Sequence, residues 1–220
     1  MKTKFTEKEI RSVEEQLSCP SGDLGVEIGR RMMDSNAGMI MNSMMYLEVF
    51  PNAVLCELGH GNGGHFSELV ERFEGITYYG LEVSKTMFEE AKKNIPNDQF
   101  LLSLYDGEKI PFEDSCFDFL VSVNTLYFWE EPKRLTKEIA RVLKPAGVAV
   151  LSYVNADFMR TLPFVGDKFQ LYDLERIKLM IEGQGLYIDQ ISDQKEDVLD
   201  KMNQKVCREY SMVRLVKGGS

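Results

Sequence analysis

The chain is predicted to fold as an α/β domain, a mostly parallel sheet with helices on both faces, preceded by a helical extension. Three observations predict it. From Ala53 onward, short runs rich in β-branched and aliphatic residues alternate with helix-length segments, the pattern of parallel strands joined by crossover helices. The run from Phe117 to Val123 is almost wholly apolar, as a strand buried on both faces requires. The stretch Val54–Leu58 leads directly into Gly59-His60-Gly61-Asn62-Gly63-Gly64, a glycine-rich turn of the kind that joins a strand to a helix in such sheets.

Residues 1–50 contain no strand pattern and read as a helical accessory segment; residues 51–217 read as the main domain. Six of the twelve methionines fall between Met32 and Met45, with Met41, Met44 and Met45 near helical spacing on one face. That face either packs on the domain or serves as an adaptable apolar lid, for which the flexible thioether is well suited. Strands are expected over 53–58, 76–82, 99–103, 117–124 and 147–154, and helices over 64–74, 84–94 and 130–143. A further helix is expected near 170–183, followed by a turn at Gly183 and Gly185 and two strands near 186–192 and 206–216. No helix-length segment separates those two strands, so they are expected to be antiparallel.

Composition narrows the function. Hydrophobic residues make up 44% and charged residues 28%, enough apolar mass for a packed core. The 35 acidic against 26 basic residues give a net charge of −9, which argues against a general binder of phosphate backbones. Nothing is apolar for long enough to span a bilayer, and Met1–Gln16 has no apolar core of a signal peptide, so a cytoplasmic location is expected. Cys19, Cys56, Cys116 and Cys207 form no CxxC pair and no zinc-type spacing with histidine. His60 and His65, five apart, do not share a helix face, so no metal site is expected.

Two ligand classes compete for the glycine loop. Gly59, Gly61 and Gly64 satisfy GxGxxG, and Glu82 at the end of the next strand fits a ribose-binding acid, as a nicotinamide dinucleotide requires. Glu57, two residues before the first glycine, is awkward beside a pyrophosphate. It suits a ligand that carries an ammonium and a sulfonium and has no phosphate, which is S-adenosylmethionine.

Residues from about 52 to 155 resemble the class I S-adenosylmethionine-dependent methyltransferases, in particular the type 11 methyltransferase domain. Glu57-x-Gly59-x-Gly61-x-Gly63 resembles the family's first motif, and Tyr79-Gly80-Leu81-Glu82-Val83-Ser84 its second-strand motif. Asp106-Gly107-Glu108-Lys109-Ile110-Pro111-Phe112 is similar to its DAExLPF segment. Phe117-Asp118 through Asn124-Thr125-Leu126-Tyr127 resembles its fourth strand and loop, and Arg141–Gly147 its RVLKPGG turn, with Ala146 in place of a glycine.

The resemblance implies a Rossmann-like seven-stranded sheet with an antiparallel last strand. It implies S-adenosyl-L-methionine as cofactor, S-adenosyl-L-homocysteine as product, and cofactor contacts from Glu57, Gly59, His60, Gly61, Gly63, Glu82, Val83, Asp106, Gly107, Asn124 and Tyr127. His60 stands where a small residue is common; it either touches the cofactor or faces solvent. Asp106 either meets the adenine amine or merely starts a turn with Gly107. Asn36 or Asn42 can reach the cofactor's carboxylate if residues 1–50 form a lid. The expected reaction is methyl transfer to a small-molecule acceptor, with specificity carried by residues 1–50 and by loops such as 155–169. No dedicated nucleophile is needed, and Tyr127, His65 and Asp157 are the candidates for a general base. The alternatives are a cofactor-binding protein without catalysis and a nicotinamide-dependent oxidoreductase.

Overall fold

A computed structural model describes residues 6–199 and 205–218. The accessory segment forms two helices, α1 (Glu7–Ser18) and α2 (Gly22–Tyr46). Thr6 and Glu9 form a reciprocal capping box at the start of α1, which satisfies two otherwise orphaned N–H groups. Pro20 stands in the break between the helices, and the N-terminal residues 1–5 lie outside the described residues.

Alternating elements follow: β1 (Val54–Leu58), α3 (Phe66–Arg72), β2 (Thr77–Glu82), α4 (Lys85–Lys92), β3 (Phe100–Leu104), β4 (Phe117–Val123), α5 (Pro132–Val142) and β5 (Leu143–Val154). A short α6 (Ala156–Met159), α7 (Leu174–Ile181), β6 (Leu186–Leu199) and β7 (Lys205–Lys217) complete the chain. The seven strands form one sheet in the order β3-β2-β1-β4-β5-β7-β6. β7 is antiparallel to both of its neighbours, β5 and β6, so it alone runs against the other six.

Three departures from the sequence expectations have local causes. β5 begins at Leu143 rather than 147, because Leu143 pairs with Phe117 before the register slips and Val148 pairs with Phe119. Ala146 sits within that slip at φ 61, the left-handed conformation for which a glycine is better suited. β6 and β7 extend beyond 192 and before 206, pairing as far as Leu199 with Lys205. The added part of β6, Asp193-Gln194-Lys195-Glu196-Asp197, has no apolar alternation to announce a strand.

α2 is docked on the sheet by its buried stripe. Met39, Met44 and Leu47 are fully buried. Ser43 Oγ lies 2.7 Å from Ser152 Oγ of β5, and Asn42 Nδ2 donates to the Tyr210 hydroxyl of β7 at 2.7 Å. Met41 packs against the core from the edge of that stripe. Met45 does not share it: it is 52% exposed, being one residue, or about 100° of turn, from Met44. Beneath the β1–α3 turn, Phe66, Tyr78 and Phe100 pack as one aromatic cluster, with the Tyr78 and Phe100 rings stacked at 4.8 Å.

This packing makes α2 part of the domain's own core. Met44→Ala is expected to lower unfolding free energy by about 2–5 kcal/mol, as burial of a large side chain implies. Met45→Ala is expected to stay within about 0.5 kcal/mol. Denaturant titration checks both; equal small effects would mean that α2 is not docked.

Candidate functional site

The carboxyl ends of β1, β2 and β4 converge on a cavity of about 150 Å³, where ligands bind in open α/β sheets. Its floor is the turn from Gly59 to Gly63. Gly59 adopts φ 80, and a Cβ there would lie 2.4 Å from Thr125 Cγ2; no side chain fits. Gly61 adopts φ 60 and a Cβ there would meet open space at the cavity wall.

Glu82, at the end of β2, ties this turn to the next one. Its Oε2 accepts the Gly61 N–H at 2.9 Å, and its Oε1 accepts those of Val83 and Ser84, each at 2.9 Å. Burial pushes its carboxyl up to about 7, against the pull of those three N–H groups. Glu57, near the end of β1, is also buried. Its Oε2 accepts from the Tyr78 hydroxyl at 2.6 Å and from His65 Nε2 at 2.8 Å. Burial disfavours its charge, yet the attraction and hydrogen bond of His65, with that of Tyr78, hold the carboxyl below its ordinary value. The pairing of Glu57 with His65, eight residues on, has no signal in the sequence beyond the presence of both.

His60 is buried, not solvent-facing. Its Nδ1 lies 2.8 Å from the Gly61 carbonyl, so Nδ1 carries the hydrogen and Nε2 is a bare acceptor. Nε2 is buried without a partner, and desolvation pushes the ring down to about 4, keeping it neutral.

Glu57, Gly59, His60, Gly61, Glu82, Val83, Gly107 and Asn124 all border this cavity. Gly63 supports the turn from beneath, where a Cβ would strike the Phe66 ring. Asp106 and Tyr127 lie outside it. Asp106 is exposed; its Oδ1 accepts the Glu108 and Lys109 N–H groups at 2.8 Å each, forming the turn with Gly107. It borders a neighbouring open cavity of about 530 Å³. The exposed side is covered by the accessory segment, through Leu17, Pro20, Met32, Met33 and Asn36.

A second cavity, of about 120 Å³, shares Leu17, Met32, Asn36, Asn124 and Phe128 with the first. Tyr127, Val154 and a set of aromatic and aliphatic side chains from 158–169 line it, with Arg208 of β7. Arg208, which sequence reasoning missed, is a cation at a buried position of a strand. The base candidates do not fit that role. The Tyr127 hydroxyl accepts the Val154 N–H and donates to Asn124 Oδ1, and burial pushes its pKa well up. His65 Nε2 is committed to Glu57. Asp157 is solvent-exposed and paired with Arg160 at 2.6 Å.

Among the described residues bordering the first cavity there are two carboxylates and no lysine or arginine. A pyrophosphate would meet no counter-charge there. A cationic, phosphate-free adenosine ligand fits the carboxylates, in keeping with the resemblance to class I methyltransferases.

Comparison with known proteins agrees. Residues 56–151, somewhat under half of the chain, match a methyltransferase domain family. It is 28% identical over 130 residues to the phthiotriol/phenolphthiotriol dimycocerosates methyltransferase 1 of Mycobacterium ulcerans, covering 58% of this chain and 47% of that protein. It is 28% identical over 98 residues to an uncharacterised methyltransferase of Bacillus subtilis, covering 44% and 54%. The chain thus spans about half the length of these curated relatives. Among solved structures it is similar to the methyltransferase seen with the Trm112 activator of Haloferax volcanii, at TM-score 0.71 and 16% identity over 88% of this chain and 95% of that one. It is also similar to phosphoethanolamine N-methyltransferase 2 of Haemonchus contortus in complex with S-adenosyl-L-methionine, at TM-score 0.67 and 16% identity over 99% and 59%. A third likeness is to the [4+2]-cyclase SpnF, at TM-score 0.65 and 17% identity over 83% and 82%. At these identities the structures establish the fold alone.

Two expectations follow from the geometry. Because the folded Glu82 carboxyl titrates near 7 rather than 4.5, folding takes up a proton in that interval. Its contribution to stability therefore declines as pH rises through the window, and the burial penalty is complete above it. A ribose diol donating to Glu82 needs the ionised form, so cofactor affinity is expected to rise roughly ten-fold from pH 6 to pH 8. Glu82→Gln should flatten that profile; a flat wild-type profile by calorimetry would contradict it. Gly61→Ala should fold, at a cost of about 1–2 kcal/mol for the left-handed backbone, and lose cofactor binding; retained affinity would show that the turn does not face the ligand.

Proposed function

We propose that the chain transfers a methyl group from S-adenosylmethionine to a small-molecule acceptor. The observation that supports this most is the pair of abutting cavities, one bordered by two carboxylates and a glycine turn, the other apolar. Glu82 would take the ribose hydroxyls, Glu57 would face the ammonium end, and the turn would approach the ligand through its backbone. When bound, the cofactor supplies an electrophilic methyl on a sulfonium, already a good leaving group. The protein's task is then alignment, which can contribute roughly 7–11 kcal/mol. Residues 1–50 would act as a cover that excludes water, and residues 51–217 as the domain that carries the cofactor.

Two of the similar proteins support an acceptor that is not a nucleic acid. One is named for phthiotriol and phenolphthiotriol dimycocerosates, and one was solved with phosphomonomethylethanolamine and S-adenosylhomocysteine. A second reading, cofactor binding without methyl transfer, is favoured by the likeness to a structure described as a cyclase and by the general independence of chemistry from fold.

Calorimetry tests the cofactor site that both readings share, and a labelling assay separates them. S-adenosylhomocysteine is expected to bind with NADH showing no heat, and Glu82→Ala is expected to weaken binding by at least about ten-fold, the loss of hydrogen bonds to a charged group. Methyl-labelled cofactor incubated with metabolite extracts should then yield labelled small molecules. Binding without any labelled product would favour the second reading; no binding would remove both.

A further inference from the structure

The wall between the two cavities has a fixed hydrogen-bond polarity. Arg208 can only donate. One NH1 hydrogen goes to Asn36 Oδ1 at 2.7 Å, so the Asn36 atom facing it is the oxygen. That same oxygen accepts from Asn124 Nδ2 at 3.2 Å. The Asn124 oxygen is thereby turned toward Tyr127, whose hydroxyl donates to it at 3.0 Å. The Tyr127 oxygen is itself occupied by the Val154 N–H. Arg208 is held in place by Glu196 and by the Ser35 carbonyl.

The Asn36, Asn124 and Tyr127 oxygens at this wall each already accept a hydrogen, and Ser35 Oγ, which also borders the second cavity, donates to the Met32 carbonyl. The unshared hydrogens belong to Asn36 and Arg208. Asn36 borders both cavities, and among the described residues no atom accepts from its Nδ2. That nitrogen is not buried. Arg208 keeps a second NH1 hydrogen beside the apolar cavity. Among the described residues lining that cavity there is no aspartate, glutamate, histidine, lysine or cysteine.

Resting on the proposed methyltransferase reading, we infer that the acceptor is an apolar body bearing an oxyanion, a carboxylate, phenolate or enolate, seated between Asn36 and Arg208. A wall whose unshared hydrogens lie on Asn36 and Arg208 pairs better with an anion than with the N–H groups of an amine, which are costly to leave unpaired in an apolar setting. An oxyanion needs no base, in keeping with a cavity that offers none. In transfer, the O–CH3 bond forms as the methyl–sulfur bond breaks, the bonding pair stays on sulfur, and no proton is removed. Anion and sulfonium cancel to neutral products, a change that a largely apolar cavity favours.

The test is binding at fixed, saturating S-adenosylhomocysteine, with phenylacetate, 2-phenylacetamide and benzylamine as matched probes. Saturation with S-adenosylhomocysteine, seen first and separately, secures the cofactor reading. Phenylacetate is then expected to bind at least about ten-fold more tightly than the amide, as for a hydrogen bond to a charged rather than a neutral group, and benzylamine not at all. Asn36→Asp keeps an oxygen toward Arg208 and Asn124 but replaces the two donors. It should abolish the preference for phenylacetate and admit benzylamine. Equal affinity of the wild-type protein for all three probes, or tighter binding of benzylamine, would overturn the inference while leaving the cofactor reading intact. So would an Asn36→Asp protein that keeps its phenylacetate affinity.

Discussion

A buried carboxylate that collects three backbone N–H groups holds the ends of β1 and β2 in one rigid arrangement. Glu82 is buried, and an isolated charge there would be expelled or neutralised. The Gly61, Val83 and Ser84 amides supply the compensation, and in doing so they lose their own freedom. The tie extends further. Ser84 caps α4 through the Met87 N–H and donates its hydroxyl to the Pro20 carbonyl. The glycine turn, the second strand, the fourth helix and the α1–α2 break are thus linked through adjacent residues. The rest of the site is built on that linkage, including the cover provided by α2.

The two cavities divide the electrostatics between them. Acids border the first, and a donor chain anchored on a guanidinium borders the second. Glu57 stays ionised because His65 and Tyr78 satisfy it from below, while Arg208 is balanced by Glu196 from the side. Each charge is therefore supported from outside its cavity, which leaves the inner faces shaped for a ligand. Neutral His60, wedged beside Gly80 and Phe66, stiffens the turn without adding charge to it.

Much of the cofactor half was legible in the sequence because it is local. Strand, glycine turn and the acid at the end of the next strand lie within a few residues of the bends they control, and their chemistry follows from residue type and spacing. The seven-stranded sheet with its antiparallel last strand was implied by the family resemblance, whereas the strand order, a long-range property, was not. The second cavity was not legible either. Asn36 and Asn124 read as cofactor contacts and Arg208 carried no signal; the three come from distant parts of the chain, and nothing in their neighbourhoods announces that they meet. Asp106 shows the converse limit: its motif marked the right turn, but local hydrogen bonding decides where its carboxylate points. The polar far half of β6 is strand only because β7 pairs with it.

The position of β7 has a further consequence, for the order in which the molecule can come together during synthesis. β6 leaves the ribosome before β7, yet β7 lies between it and β5. Until then β5 presents an open edge, a template for unwanted pairing. When β7 inserts, it brings Arg208 to the wall of the second cavity and Tyr210 to its partner on α2 in the same event. An early helix and the last strand of the described chain thus meet last, and a nascent chain cannot offer a finished second cavity before its sheet is closed.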